Sequence, residues 1–430
     1  MVFAIIVVGM LLIGLTAIPL GFGIGTIGFV ILHFMADGAS SLAITSVWNV
    51  LTNFLLSAVP LFMFMGEILL KSGLSKRIYA AIAPFFANIP GKLLHTNIIV
   101  CTMFGAVCGA SSSTAAAVGS VAYPELKARG YDQPIVLASL AAGGTLGLLI
   151  PPSLSLLIYG ATQGVSIGRL FLAGVIPGLL LALFFMCWVW VQAKRYPEIS
   201  PGNESDQKSV REMFLGLLTI WPLLVLAFVI LGTIYLGIAT TTEAAALGVV
   251  ATIVIGFCLR ELTIKDLVNA FVSGTIVWAT LATVIIGAVI LAQSISILAI
   301  PGALVGQIRE AGLPPYVVLV CLVIVYLVLG CFFDGLSMML MTLPVVFPLI
   351  TSLGFDPVWF GVILTILIEV GLLTPPVGLN LFVLMAIAKG TVPIHILSLA
   401  AVPYWLIMLG SVALFTALPG LVLWLPSMMN

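Results

Sequence analysis

Residues 141–153 read AAGGTLGLLIPPS, and residues 365–377 read TILIEVGLLTPPV. The blocks Gly147-Leu148-Leu149-Ile150-Pro151-Pro152 and Gly371-Leu372-Leu373-Thr374-Pro375-Pro376 align without a gap at a constant offset of 224 positions. The same offset pairs Pro90 with Pro314, Ser113 with Ser337, Pro124 with Pro348, Gly130 with Gly354 and Asp132 with Asp356. A register shared across so many positions marks an internal duplication. Each block also sets a Pro-Pro pair inside an apolar run. Proline removes a backbone donor and leaves the carbonyl one turn earlier unpaired, so each half contains a helix that breaks.

The surroundings of these blocks fix the class of protein. Of 430 residues, 62% are hydrophobic and 7% are charged, with 15 basic and 15 acidic side chains. Soluble domains carry about 25% charge, so this chain has too little to cover a globular surface. Its 42 glycines and 24 prolines exclude a plain coiled coil, and its long apolar runs exclude disorder. Zero net charge gives no electrostatic basis for binding nucleic acid. The chain reads as an all-α polytopic membrane protein embedded in lipid.

A spanning helix needs about 20 apolar residues. Candidate spans cover 2–18, 21–35, 48–70, 134–160, 168–193, 213–237, 241–259, 268–299, 358–388 and 395–418, with a short piece running to 428. The first has no basic flank and no clear cleavage site, so it reads as a helix rather than a signal peptide. Two further runs, 93–126 and 316–350, are expected to return to the side they enter. With the N-terminus outside, thirteen basic residues, Lys71 to Lys265 and Lys389 among them, then face the cytoplasm, and only Arg169 and Arg309 do not. Treating 93–126 as a simple crossing inverts every later segment and destroys this bias. The polar stretch 196–212 reads as a cytoplasmic loop between halves, and 76–92 either as an arm along the cytoplasmic interface or as a plain connecting helix.

Five crossings separate the two hairpins, an odd number, so the copies have inverted topology. Inverted repeats with interrupted helices are the architecture of secondary transporters, with sites where the repeats meet. Each hairpin has a tip that disfavours continuous helix: Gly109-Ala110-Ser111-Ser112-Ser113-Thr114 in one, Asp334-Gly335-Leu336-Ser337 in the other. Each Pro-Pro break has glycines before it (Gly143, Gly144, Gly147; Gly371) and Ser153, or Gly378 and Asn380, after it. Irregular backbone at membrane depth is tolerated only when buried or lining a cavity. Freed carbonyls and hydroxyls suit a small cation, while half-helix N-termini near Ser113 and Ser337 suit an anion. Two cation sites flanking one anion site are expected.

Among intramembrane acids, Asp334 costs about 2.5–3.5 kcal/mol at depth, which a cation or a capping role would offset. Glu243, in Thr240-Thr241-Thr242-Glu243, fits a helix-start cap. Glu369 suits a structural hydrogen bond as well as a direct role. Glu67, one turn before Lys71, is expected to pair or to snorkel towards the inner interface. His33, His95 and His395 are scattered, and the six cysteines lie singly with no metal-type spacing. No nucleophile motif, Walker loop or dinucleotide fingerprint is present. The chain is therefore read as no enzyme and needs no cofactor; its energy comes from an ion gradient or another subunit.

At these residues the sequence resembles the large membrane subunit of tripartite ATP-independent periplasmic (TRAP) transporters. The stretches that carry the likeness are GASSSTAAAVGSVAYPELKARGYD (109–132), AAGGTLGLLIPPSLSLLIYGATQGVSIGRLFLAGVIPG (141–178), TTEAAALG (241–248), DGLSMMLMTLPVVFPLI (334–350) and GLLTPPVGLNLFVLMAIAKG (371–390). The resemblance implies sodium-coupled uptake of an organic acid across the bacterial inner membrane. A soluble periplasmic substrate-binding protein delivers the ligand, and a separate small four-helix membrane subunit completes the scaffold. It also implies an elevator-type mechanism in which 93–160 and 316–388 move together, against scaffold segments 1–92, 161–315 and 389–430. Sodium ligands would come from Ser111, Ser112 and Ser113 with Gly144 and Pro152 of the first break. The second set would be Asp334, Gly335 and Ser337 with Thr374 and Val377. Substrate contacts would involve Ser112, Thr114, Ser153, Gly378 and Asn380.

Three other readings stay open at this point. One is a self-sufficient cation/organic anion symporter of related architecture, which intact uptake after deletion of the partner genes would favour. Another is a membrane-embedded enzyme, which the missing acid/base or metal constellation disfavours. The third is a purely structural assembly subunit, which mutation of Asp334 or Ser112 without loss of uptake would favour.

Overall fold

The computed structural model describes residues 8–9, 18–36, 38–201 and 210–429. All but residues 8, 9 and 18 of the expected first span, 2–18, and the centre of the 196–212 loop lie outside them. Every regular element in the described residues is helical, and seven segments are long and apolar enough to cross a bilayer.

In chain order, α1 (Leu20–Met35) and α2 (Ser41–Leu51) precede a helix running from a 3₁₀ turn at Phe54–Ser57 into α3 (Ala58–Lys71). The sequence reading placed one span at 48–70, but the helix is divided at Thr52–Asn53. Asn53 is extended and its side chain accepts from Leu55 N (3.0 Å), so it starts a new helix instead of continuing the old one. The arm α4 (Leu74–Ile82) follows, and an ion pair between Arg77 and Glu261 joins it to a later turn.

The first hairpin is α5 (Leu93–Cys108) and α6 (Ser111–Ala128), and the first interrupted helix is α7 (Gln133–Thr145) and α8 (Leu154–Gln163). Then come α9 (Ile167–Arg195), the segment α10 (Glu212–Tyr235) with a π-helical turn at Phe228–Gly232, and α11 (Thr241–Cys258). Next is α12 (Ile264–Ile297), at 34 residues the longest helix described. It starts four residues earlier than the hydropathy run because Thr263 and Asp266 form a reciprocal capping box. Thr240 and Glu243 form the same device at α11, as the sequence pattern indicates. The short α13 (Ile300–Glu310) leads to the second hairpin, α14 (Pro315–Gly330) and α15 (Gly335–Ser352). The second interrupted helix is α16 (Pro357–Leu373) and α17 (Leu379–Ile387), and α18 (Ile394–Ala417) closes the chain. Beyond it, Gly420–Leu423 makes a single helical turn, too short to cross.

Residues matched at the 224-residue offset play matching parts. Asp132 caps α7 by accepting from Ile135 N (3.1 Å), and Asp356 caps α16 by accepting from Val358 N (2.7 Å) and Trp359 N (3.1 Å). In each copy the first hairpin arm crosses the interrupted helix glycine to glycine. A Cβ on Gly105 would lie 2.6 Å from the Gly147 Cα, and one on Gly330 would lie 2.7 Å from the Gly371 Cα. Small residues at a crossing let two backbones touch, which is how helices associate where lipid removes the hydrophobic drive between them.

Candidate substrate and ion site

The two tips are built differently on one plan. At the first, α5 ends with Gly109 in the left-handed region (φ +68°), Ala110 is extended, and α6 begins at Ser111. Only glycine fits at Gly109, because an added Cβ would also stand 2.7 Å from Pro152 O. Leu154 N, at the start of α8, donates to Gly109 O (3.2 Å), which fastens the tip to its own break. At the second, Val377 N donates to Cys331 O (3.3 Å) and fastens that tip likewise. Asp334 accepts from Ser337 N (3.1 Å) and caps α15, whereas the residue before α6 is Ala110, which offers no side-chain cap. The first turn of α6 therefore keeps its amide groups uncompensated by a side chain, and the second tip carries a carboxylate.

Both breaks lie where the prolines are. Helix α7 tightens into a 3₁₀ turn at Leu146–Leu148, and the chain then passes through a cis Pro151-Pro152 bond; Pro375-Pro376 is also cis. The carbonyl of Leu148, freed by the break, is bonded by the Ser153 hydroxyl, which also accepts from Leu156 N (3.2 Å). In the second break Thr374 Oγ1 donates to Gly371 O (3.3 Å), and Gly378 stands in the left-handed region (φ +40°).

A cavity of about 160 Å³ opens where these parts meet. Ser111, Ser112 and Ser113 line it from one tip, and Asp334 and Gly335 from the other. Met63, Gly66 and Glu67 of α3 and Val277 of α12 close it. It adjoins a larger space of about 630 Å³, which Ser337 and Asp334 share with α1 and α12. The remaining predicted residues sit behind this wall. Thr114 is buried with its hydroxyl on Ala110 O (2.7 Å), and Gly144 packs on Ala115, where an added Cβ would lie 2.7 Å from the Ala115 Cβ. Pro152, Ser153, Thr374 and Gly378 shape the breaks, with Val377 half-buried beside them.

Asn380 is fully buried and crosses between the copies. Its Nδ2 donates to Ser111 Oγ (2.6 Å) and to Ala141 O (3.1 Å). In the opposite sense, Ser155 of α8 reaches Thr365 of α16 (3.1 Å). Each half-helix thus bonds to the long helix of the other repeat. No sequence signal marks either pair, because the partners are 269 and 210 residues apart.

Two acids differ from the sequence reading. Glu67 makes no ion pair or hydrogen bond among the described residues and lines the cavity instead. Gly66 explains this. A Cβ there would lie 3.0 Å from Cys108 Sγ, so α3 runs hard against the first tip and carries Glu67 to the opening. Glu369 is fully buried and neither of its oxygens has a partner among the described residues. Among the described residues no group of three or more His, Cys, Asp or Glu side chains is placed to hold a metal.

Comparison with known proteins follows the same lines. The family described as "Tripartite ATP-independent periplasmic transporter, DctM component" matches residues 5–421. The chain belongs to this family. This TRAP permease is 33% identical to the C4-dicarboxylate TRAP transporter large permease protein DctM of Pseudomonas aeruginosa, over 92% of each chain. It is 34% identical to the ectoine TRAP transporter large permease protein TeaC of Halomonas elongata, over 84% of this chain and 85% of that one. A permease of Oleidesulfovibrio alaskensis named for isethionate and called DctMQ is 30% identical over 94% of this chain. In fold it is similar to the YdaH transporter of Alcanivorax borkumensis, with a TM-score of 0.65 at 15% identity over 91% of each chain. It is a multi-pass membrane transport protein and not an enzyme.

Proposed function

We propose that this TRAP permease takes up a small organic acid, coupled to sodium, across the bacterial inner membrane, with its N-terminus outside. The ligand comes from a soluble periplasmic binding protein, and a small membrane subunit completes the scaffold; the relative called DctMQ is consistent with such a companion. The observation that carries the reading is the meeting of both tips and the α3–α12 wall at one cavity edged by hydroxyls, a carboxylate and an uncapped helix start. Hard oxygen donors suit sodium, and free amides at a helix N-terminus suit an anion.

The sodium ligands in this proposal are Ser111, Ser112 and Ser113 with the backbone of the 143–152 break, and Asp334, Gly335 and Ser337 with that of 374–378. Buried Asn380, Thr114 and Ser153 act on substrate by holding the wall, and Ser112, exposed to the cavity, touches it directly. The repeats are inverted, and residues 93–160 and 316–388 move as one body past the scaffold. The cross-bonds of Asn380 and Ser155 support that unity, because they join the two regions to each other, and the glycine crossings tie each hairpin to its own interrupted helix.

The test is uptake into proteoliposomes holding the permease, its small subunit and the binding protein. Accumulation driven by an inward sodium gradient and abolished when potassium replaces sodium is expected. Uptake unchanged by that replacement, or undiminished without the binding protein, defeats the proposal.

A further inference from the structure

The cavity has a marked electrical asymmetry. One wall is the start of α6, where Ser111, Ser112 and Ser113 present the positive end of a helix whose preceding residue, Ala110, supplies no cap. Asp334 and Glu67 belong to the same lining. Among the described residues, no lysine, arginine or histidine lines either this space or the larger one beside it. Asp334 has work to do as the cap of α15 and in the proposed sodium site. Glu67 has none, since it has no bonded partner among the described residues and Lys71, one turn on, is beyond ion-pair distance. An unpaired carboxylate beside an anion site repels a second negative charge on the ligand, and it attracts a positive one.

Resting on the transport reading above, we propose that Glu67 selects a zwitterionic substrate. The ligand's carboxylate or sulfonate faces the α6 start, and an ammonium or amidinium group faces Glu67. Glu67 sits on α3, which Gly66 presses against the first tip, so the contact forms at the boundary between scaffold and hairpin. A dianion is disfavoured twice, by Glu67 and by the lack of a basic side chain among the described residues of the wall.

Pairs of probes that differ only in an ammonium or a hydroxyl group test this directly: taurine against isethionate, β-alanine against 3-hydroxypropionate, 4-aminobutyrate against 4-hydroxybutyrate. Binding to the purified membrane complex in sodium-containing nanodiscs is read by calorimetry. At least one amino member is expected to bind ten times more tightly than its hydroxyl twin. E67Q should reduce that preference about tenfold, equivalent to about 1.4 kcal/mol, and E67D should retain most of it. An unchanged melting temperature in E67Q excludes misfolding as the cause. Equal or tighter binding of the hydroxyl member in every pair, no preference in any pair, or a preference untouched by E67Q overturns the inference. Sodium-driven uptake measured in parallel separates the two readings: if it persists while the preference is absent, only the role of Glu67 falls.

Discussion

The two hairpin segments match in register at an offset of 224 residues, yet they occupy different surroundings. Helix α5 of the first is buried along nearly its whole length, including His95, Thr96 and Asn97. Helix α14 of the second exposes Tyr316, Val317, Val320, Ile324, Val325 and Val328. The breaks follow the same division: Pro151 and Pro152 are buried, and Pro375 and Pro376 are exposed. Polar content differs as well. The first tip carries hydroxyls and the second a carboxylate, and Thr145, bonded to Ala142 O (2.8 Å), corresponds to the unpartnered Glu369. The matched regions therefore share the glycine crossings and the Asp132 and Asp356 caps, while the caps at the tips, the environment and the charges differ.

The sharpest way to break this comparison is at the shared crossings. G105V and G330V each force a side chain into facing backbone, which cannot give way, and each is expected to cost about 3 kcal/mol or more. Fluorescence-detected size-exclusion should show little folded protein for either variant. Survival of one alone means that only the other crossing is required.

The next test separates capping from charge at the second tip. D334A removes the cap of α15 and should cost about 1 kcal/mol, read as a lowered melting temperature. D334N keeps a capping oxygen and should melt near the wild type, yet need at least tenfold more sodium for half-maximal uptake. Unaltered sodium dependence would remove the Asp334 carboxylate from the proposed sodium ligands.

Cross-repeat bonding gives a smaller effect. N380A leaves Ser111 Oγ and Ala141 O without their donor and should cost about 1–3 kcal/mol. With S111A, a double-mutant cycle should return a coupling of about 0.5–1 kcal/mol, as expected for residues in contact. Additive losses would mean that the Asn380–Ser111 bond contributes nothing. The smallest change is expected at Glu369. A buried carboxyl without partners costs stability, so E369L should melt at or slightly above the wild-type temperature. A large loss of stability there shows a partner that the described structure does not contain.

What the sequence made legible was local. The Pro-Pro breaks, the tips, the Thr240–Glu243 cap and the paired Asp132 and Asp356 all follow from residue chemistry acting within a few positions. The family resemblance and the all-helical membrane fold agree with the comparisons. What it concealed depended on packing. The position of Glu67 depends on how closely Gly66 lets α3 approach Cys108, and the Asn380–Ser111 bond on how two distant copies meet. The division of the expected 48–70 span turned on a single asparagine that hydropathy averages away.

Helix α12 sets a demand on the membrane itself. At 1.5 Å per residue, its 34 residues extend about 51 Å, against a hydrocarbon core of about 30 Å. It must therefore lean steeply or push its ends through the headgroup layers on both sides. Because its Val277 forms part of the cavity wall, a change in lipid thickness that alters this lean also shifts one side of the compartment in which cargo is held.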